Sequence, residues 1–210
     1  MIKLSLKKLE KQLTKSIRRN ALSVGVDVAE AYTGICILET DDENITIRNT
    51  QVIETTNKED HFNRANHYVA SLEKFKQDIP KINKFKILTI ERCYYGKNPE
   101  TLIHLAHFGI ITYIILQKLF DTVYYFGATT ARSIIGFNQR KQEEKGTLKV
   151  QTYTRDTKDK NGKIKHKKGE NKKIDCKSLV HDYLKTDFNL EFKSKDEADA
   201  FVLSLAGLLK

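Results

Sequence analysis

Residues 21–28, ALSVGVDV, alternate apolar side chains with small or polar ones, and this period of two predicts a β-strand. A second run, FKILTIE at 85–91, predicts another strand. Each run ends on an acid, Asp27 in the first and Glu91 in the second. Because the carboxyl ends of parallel neighbouring strands meet at one edge of a sheet, we expect these carboxylates to lie together there. Taken alone, each acid is better explained as a strand-end side chain that faces water, and it is the occurrence of two such acids that favours a shared site.

The remaining pattern changes from successive strands to alternating strands and helices, which predicts an α/β fold with helices covering a mixed sheet. The predicted strands are 21–28, 33–38, 45–53, 85–91 and 123–126, and the predicted helices are 3–19, 60–77, 99–119 and 128–135, with two more from about 175 and 194.

The last helix adds two more acids. Ser194 and Glu197 fit a capping box, so Asp196 and Asp199 fall on adjacent turns of one helix face. The occurrence of an acid at position 196 is explained by the helix dipole alone, because acidic side chains are stabilising in the first turn of a helix. Asp199 lies in ADAFVLSLAGLL, which is apolar nearly all round, so its burial requires a counter-ion. Oxygen ligands suit Mg²⁺ or Mn²⁺, and such a carboxylate cluster can hold two ions about 4 Å apart.

The charge of the 210-residue chain is local: its net charge is +10, and residues 1–20 and 139–173 are its basic segments. This distribution suits a polyanion, although solvated surface segments are an equally good explanation. We expect a basic helical arm at 1–20 and one folded domain at 21–210. Within that domain, residues 137–173 have few large apolar side chains and are predicted to form a mobile basic insertion.

Several classes of protein are not favoured. The sequence shows no secretory signal and no obvious run of about 20 apolar residues, so we expect no membrane partner. It has no glycine-rich nucleotide-binding motif. Three scattered cysteines favour a reducing, cytoplasmic setting, and Cys93 is interpreted as structural. His104 and His107 lack an evident third ligand, so a zinc site is not predicted.

The acids and their flanking residues resemble the RuvC family of Holliday junction resolvases, within the ribonuclease H-like superfamily. The similar stretches are VGVDVAEAYTGICIL at 24–38, LTIERCYYGKNPETLIHLAHFGIITYIIL at 88–116, TTARSIIG at 129–136 and KDEADAFVLSLAGL at 195–208. The family's usual Pro-Gly after the first acid is replaced by Val28-Ala29. The basic arm and the enlarged 137–173 connection also depart from the family pattern.

This resemblance implies a ribonuclease H-like fold with a five-stranded mixed sheet, helices on both faces and the first three strands antiparallel. It further implies a Mg²⁺-dependent endonuclease, with Mn²⁺ as a substitute, that cleaves four-way DNA junctions as a homodimer. The implied catalytic and metal-binding residues are Asp27, Glu91, Asp196 and Asp199, and the expected DNA contacts are Tyr94, Lys97, Asn98, Arg132 and Lys177.

Two other functions remain open at this point. One is a related nuclease that acts on flaps, replication forks or RNA:DNA hybrids. The other is a catalytically silent module that binds junctions, against which the retention of all four carboxylates argues.

Overall fold

A six-stranded mixed sheet forms the centre of the protein, in the order β1-β4-β3-β2-β5-β6. The computed structural model describes residues 2–56, 58–93, 98–137, 150–151, 155–158, 164–167, 173–174 and 176–210. The strands of the sheet are β1 (Ile2–Ser5), β2 (Ala21–Asp27), β3 (Tyr32–Thr40), β4 (Asn44–Glu54), β5 (Phe85–Glu91) and β6 (Thr122–Phe126).

Among the described residues, five α-helices and a 3₁₀ turn at Gln117–Leu119 accompany this sheet in the first of two compact units, residues 1–137 with 192–210. The α-helices are α1 (Leu6–Leu13), α2 (His61–Asp78), α3 (Pro99–Leu116), α4 (Ala128–Ile134) and the C-terminal helix α6 (Lys195–Leu208). The second unit, residues 138–191, contains short strands and the helix α5 (Cys176–Asp187). Its strands are β7 (Val150–Gln151), β8 (Arg155–Lys158), β9 (Ile164–Lys167) and β10 (Lys173–Ile174).

The predicted topology is confirmed, with one correction to the strand count. β2, β3 and β4 are antiparallel neighbours, whereas β5 lies parallel to both β2 and β6. The sheet has six strands rather than five because Ile2–Ser5 pairs antiparallel with Asn44–Ile47. The helix expected over 3–19 is therefore shorter, and its apolar face, Leu6, Leu9 and Leu13, is buried.

Helices cover both faces of the central strand β2, and every residue of β2 is buried. On one face, Leu22, Val24 and Val26 belong to a core shared with Tyr68 and Phe108 of α2 and α3. On the other face, the Ser23 hydroxyl donates to the Ser204 carbonyl of α6 at 2.8 Å, and the Ser204 hydroxyl donates to the Ser23 carbonyl at the same distance.

The outer surface of α3 is unusually apolar. Ile103, Ile110 and Ile114 lie along one side of the helix and are 54–61% exposed. By length and composition, the described helical segment Pro99–Leu119 is apolar enough to cross a membrane, and only 22% of its most apolar window is buried. The sequence-based expectation of no such segment is therefore wrong. Length and composition do not distinguish a membrane span from a helix that packs against another protein surface.

Candidate active site

Asp27 and Glu91 end two neighbouring parallel strands, as the sequence predicts. Val26 of β2 pairs with Ile90 of β5, so the next residue of each strand is an acid at the same edge of the sheet. Asp27 is only 2% exposed, whereas Glu91 is partly exposed. An ionised carboxylate as deeply buried as Asp27 requires polar or cationic neighbours, because its desolvation is otherwise costly.

Helix α6 brings Asp196 and Asp199 to the same region. The capping box is present: the Ser194 hydroxyl accepts from the Glu197 backbone N–H, and the Glu197 carboxylate accepts from the Ser194 N–H. The first turn of α6 lies directly on β3, since a Cβ built on Gly34 would be 2.1 Å from the Asp196 carbonyl oxygen. Gly34 is itself the register partner of Asp27 in the antiparallel β2–β3 pair.

A small cleft connects three of the four predicted acids. Asp27, Glu91 and Asp199 line it, together with Arg132 and apolar residues of α4 and α6. Asp196 is placed close by through its contact with β3, but it does not line this cleft. The structure therefore assembles carboxylates from three separate elements, β2, β5 and α6, around one small space.

Arg132 of α4 supplies the positive charge in this cleft. Its guanidinium Nη2 lies 2.9 and 3.0 Å from the two carboxylate oxygens of Asp199, and Nε lies 3.3 Å from Oδ1. The Asp199 side chain is buried, at 8% exposure, and the Arg132 side chain is largely shielded from solvent, at 13%. The sequence predicts a DNA-phosphate contact for Arg132 and does not reveal this ion pair, because 67 residues separate the two partners in the chain.

The other predicted DNA contacts have different positions. Asn98 is the N-cap of α3, where its side chain accepts from the Glu100 N–H at 3.0 Å. Lys177 lies in α5 of the second unit. Tyr94 and Lys97 lie outside the described residues, between β5 and α3. Their roles on DNA stay predictions.

Two cysteines, Cys36 within β3 and Cys93 just after β5, have thiols with raised pKa values. Burial raises the pKa of the Cys36 thiol, and the nearby Glu197 carboxylate raises it further. Burial is also the main cause of the raised pKa of Cys93, to which Glu91 contributes. Because the thiolate is the reactive form, these pKa shifts favour the structural interpretation of Cys93.

A second cluster of polar side chains, which the sequence does not reveal, lies on α2, α3 and the turn after β2. His104 has Glu30 and His61 as neighbours. The sequence pairs His104 with His107, whereas in the structure it is the ligand atoms of Glu30 and His61, and not of His107, that converge with that of His104. Glu30 and His61 lie far from His104 in the chain, so spacing within α3 could not reveal them.

The mixed sheet, with helices on both faces and acids at the ends of β2 and β5 and on α6, defines a ribonuclease H-like fold. The chain belongs to the RuvC family, since the family model described as crossover junction endodeoxyribonuclease RuvC matches residues 23–157. A comparison with curated proteins gives no significant match.

Among solved structures, the chain is similar to RuvC of Thermus thermophilus. The structure of that protein in complex with a Holliday junction substrate matches with a TM-score of 0.56 at 11% identity, covering 88% of this chain and 91% of the other. A second Thermus thermophilus RuvC structure gives a TM-score of 0.54 at 12% identity, with 88% and 92% coverage. The yeast mitochondrial Holliday junction resolvase Ydc2 gives 0.49 at 15% identity, with 95% and 84% coverage.

Proposed function

We propose that this protein is a metal-dependent endonuclease that resolves four-way DNA junctions by paired symmetric nicks. The observation that carries the proposal is the grouping of Asp27, Glu91 and Asp199 around one cleft in a chain of the RuvC family. The similar Thermus thermophilus protein is described in complex with a Holliday junction, which supports the same class of substrate here.

The donor chemistry of the cleft suits a hard divalent cation such as Mg²⁺ or Mn²⁺, because its charged ligands are carboxylates. When bound, such ions activate water and stabilise the oxygens of a phosphodiester undergoing cleavage. In our proposal, Asp27 and Asp199 hold the metal, while Glu91 and Asp196 complete the ligand set and orient water. Arg132 orients Asp199 through their ion pair, and its positive charge would also attract the phosphate group of the DNA substrate.

DNA binding beyond the cleft is assigned to basic and aromatic side chains. Lys7, Lys8 and Lys11 are exposed on α1, opposite its buried leucines. These lysines, with Lys177 and the basic segment 139–173, would neutralise phosphates without reading sequence. Tyr94, beside Lys97 and Asn98, would stack on an unpaired base at the branch point, where stacking is worth about 1 to 3 kcal/mol.

Paired cleavage requires two active sites, and we assign the second to another copy of this chain. A twofold axis presents two identical sites to opposite strands of a four-way junction. The exposed face of α3 provides an apolar surface for that contact, through Ile103, Ile110 and Ile114. The same helix contributes Phe108 to the core, so its inner and outer sides are both apolar.

The test compares nicking of a four-way junction, a flap and an RNA:DNA hybrid. We expect symmetric nicks in the junction with Mg²⁺ and no cleavage in EDTA. Asp27→Asn and Glu91→Gln should each abolish nicking while retaining junction binding, because they remove metal ligands and not the basic surface. Glu73→Gln on the exposed side of α2 is the matched control and should cut normally.

Other outcomes would contradict the proposal. Full activity in EDTA would exclude a metal-dependent mechanism. Preferential cutting of flaps or hybrids would make the protein a related nuclease with a different substrate. Tight junction binding that Mg²⁺ does not change, with no product at any protein concentration, would indicate a silent binding module.

A further inference from the structure

Outside the acidic cleft, Glu30, His61 and His104 come together from three elements. Glu30 lies in the turn between β2 and β3, His61 is the first residue of α2, and His104 lies in α3. One ligand atom from each of the three side chains lies within 4.8 Å of the other two. Among the described residues, no other set of three His, Cys, Asp or Glu side chains brings its ligand atoms this close together.

The hydrogen bonds of the cluster leave one ring nitrogen of His61 without a partner among the described residues. His61 Nε2 lies 3.0 Å from His107 Nδ1, so His107 fixes the orientation of the His61 ring. The opposite atom, His61 Nδ1, is buried and has no hydrogen-bond partner among the described residues. His104 Nδ1 contacts the Glu30 carboxylate directly. A buried nitrogen without a partner is costly, and a metal ion would satisfy it.

The protonation state of His61 also suits a ligand. Burial lowers the pKa of His61, and the neighbouring His104 and His107 lower it further. The imidazole is therefore neutral at neutral pH, which is the form that binds metals. Glu30 and His104 side chains keep 25% and 21% exposure, so an ion can reach them from solvent.

We propose that Glu30, His61 and His104 form a binding site for a divalent transition metal of the zinc type, separate from the acidic cleft. Two imidazoles and one carboxylate are a ligand set that Zn²⁺ uses, with water in the fourth position. His107 acts as the second-sphere partner that orients His61.

Metal binding needs a modest rearrangement of the rings. His61 and His104 are stacked, with centroids 3.9 Å apart and an interplanar angle of 13°. Bond lengths of about 2.0–2.1 Å in a tetrahedral site bring ligand atoms to about 3.4 Å from one another. The His104 ring and the Glu30 carboxylate must therefore reorient until their lone pairs converge with that of His61.

A metal at this site would stabilise the turn that follows Asp27, which is next to the acidic cleft. Glu30 is three residues after Asp27, and its backbone carbonyl accepts hydrogen bonds from Arg64 of α2 and from Thr55. An ion held by Glu30, His61 and His104 would tie this turn to α2 and α3 at once. We assign it a structural role, since it shares no ligand with the cleft.

The test titrates the metal-free full-length protein with Zn²⁺ and with Co²⁺, using isothermal calorimetry and the visible absorption of bound Co²⁺. Histidine side-chain nitrogen NMR of the wild type provides a readout that needs no variant. We expect the nitrogens of His61 and His104 to shift on adding one equivalent of Zn²⁺, and excess Mg²⁺ not to reverse the shift.

Variants assign the ligands. His61→Ala and His104→Ala should each weaken this binding event by at least about 100-fold, and Glu30→Gln by about 10- to 100-fold. His67→Ala, on the exposed side of α2, is the matched control and should bind as the wild type does. Unchanged His61 and His104 signals at saturating Zn²⁺, or equal affinity in wild type and His104→Ala, would overturn the proposal.

Discussion

Arg132 and Asp199 form a buried ion pair, and replacing the arginine should reveal its contribution. We expect Arg132→Gln to lower the free energy of unfolding in metal-free buffer by about 3 kcal/mol, because breaking a buried ion pair leaves a poorly solvated charge. Added Mg²⁺ should stabilise the variant more than the wild type, since the cation takes over the role of the guanidinium. Urea denaturation with and without Mg²⁺ measures both effects.

Arg48→Gln is the control for this experiment. Arg48 pairs with Glu39 but is 40% exposed, so its loss should cost less than about 1 kcal/mol and should not alter the response to Mg²⁺. If Mg²⁺ stabilises the wild type and Arg132→Gln equally, then the bound cation does not replace the arginine as the counter-ion of Asp199.

The ion pair of Glu10 should make the stability of the protein depend on pH. It accepts from both terminal nitrogens of Arg19 at 2.7 Å and from the Ile17 N–H at 2.8 Å. The Arg19 hydrogen bonds are the main cause that lowers the pKa of Glu10 from 4.5 to about 2. A lowered pKa means that the charged carboxylate stabilises the native state above pH 4.5 and that this stabilisation disappears as the pH falls towards 2.

We therefore expect Glu10→Gln to cost about 1 kcal/mol at pH 7, a value limited by the partial exposure of the pair. The difference from wild type should shrink steadily between pH 4.5 and 2 in guanidinium denaturation. Glu73→Gln, in an exposed pair with Lys76, should show little difference at either pH. A gap for Glu10→Gln that stays constant with pH would contradict the assignment.

Sequence reasoning located Asp199 but not Glu30, and the reason is physical. An acid within a helix that is apolar all round must be buried, so Asp199 is recognisable from its own neighbours. Glu30 is defined by its contact with His104, which lies 74 residues further along the chain. Only the topology that places α3 beside the turn after β2 creates that contact.

Helix α6 can approach the sheet closely because β2 and β3 present glycines to it. A Cβ at Gly34 would be 2.1 Å from the Asp196 carbonyl oxygen, and one at Gly25 would be 2.2 Å from the Ala200 carbonyl oxygen. Both neighbours are backbone atoms, so relieving the clash requires the helix itself to move.

We expect Gly34→Ala to displace the first turn of α6, lowering stability by about 1–3 kcal/mol and junction nicking by at least about 10-fold. Thermal unfolding and single-turnover nicking measure these effects. Gly127→Ala is the matched control: a Cβ there meets nothing within 4 Å, and the cost should stay below about 1 kcal/mol. Wild-type nicking by Gly34→Ala would show that α6 does not fix the geometry of the cleft.

Strands and helices with a repeating apolar pattern were predictable, whereas β1 was not. The buried leucines at 6, 9 and 13 do indicate a helix, and α1 is present. The preceding residues Ile2–Ser5 are too short to show a period of two. They form a strand because β4, some 40 residues away, offers an edge with which they pair.

The exposed face of α3 predicts the assembly of the protein. If a second copy covers this face, Ile114→Asp should produce a monomer by sedimentation velocity and should uncouple the two nicks, because a buried charge opposes the contact. Phe62→Asp is the control, since Phe62 is 79% exposed on α2 instead. A wild type that is monomeric while nicking symmetrically, or one that floats with liposomes, would contradict dimerisation through α3.

The pairing of β1 with β4 also affects how well the protein resists aggregation. Without β1, the whole 11-residue strand β4 would form the open edge of the sheet, and such edges recruit other chains into intermolecular β-structure. With β1 in place, Asn44–Ile47 are paired, and the part of β4 left open carries Arg48, Asn49 and Gln51, which resist such recruitment. A chain shortened to begin at residue 21 should therefore be prone to aggregation even though every acidic residue of the cleft is still present.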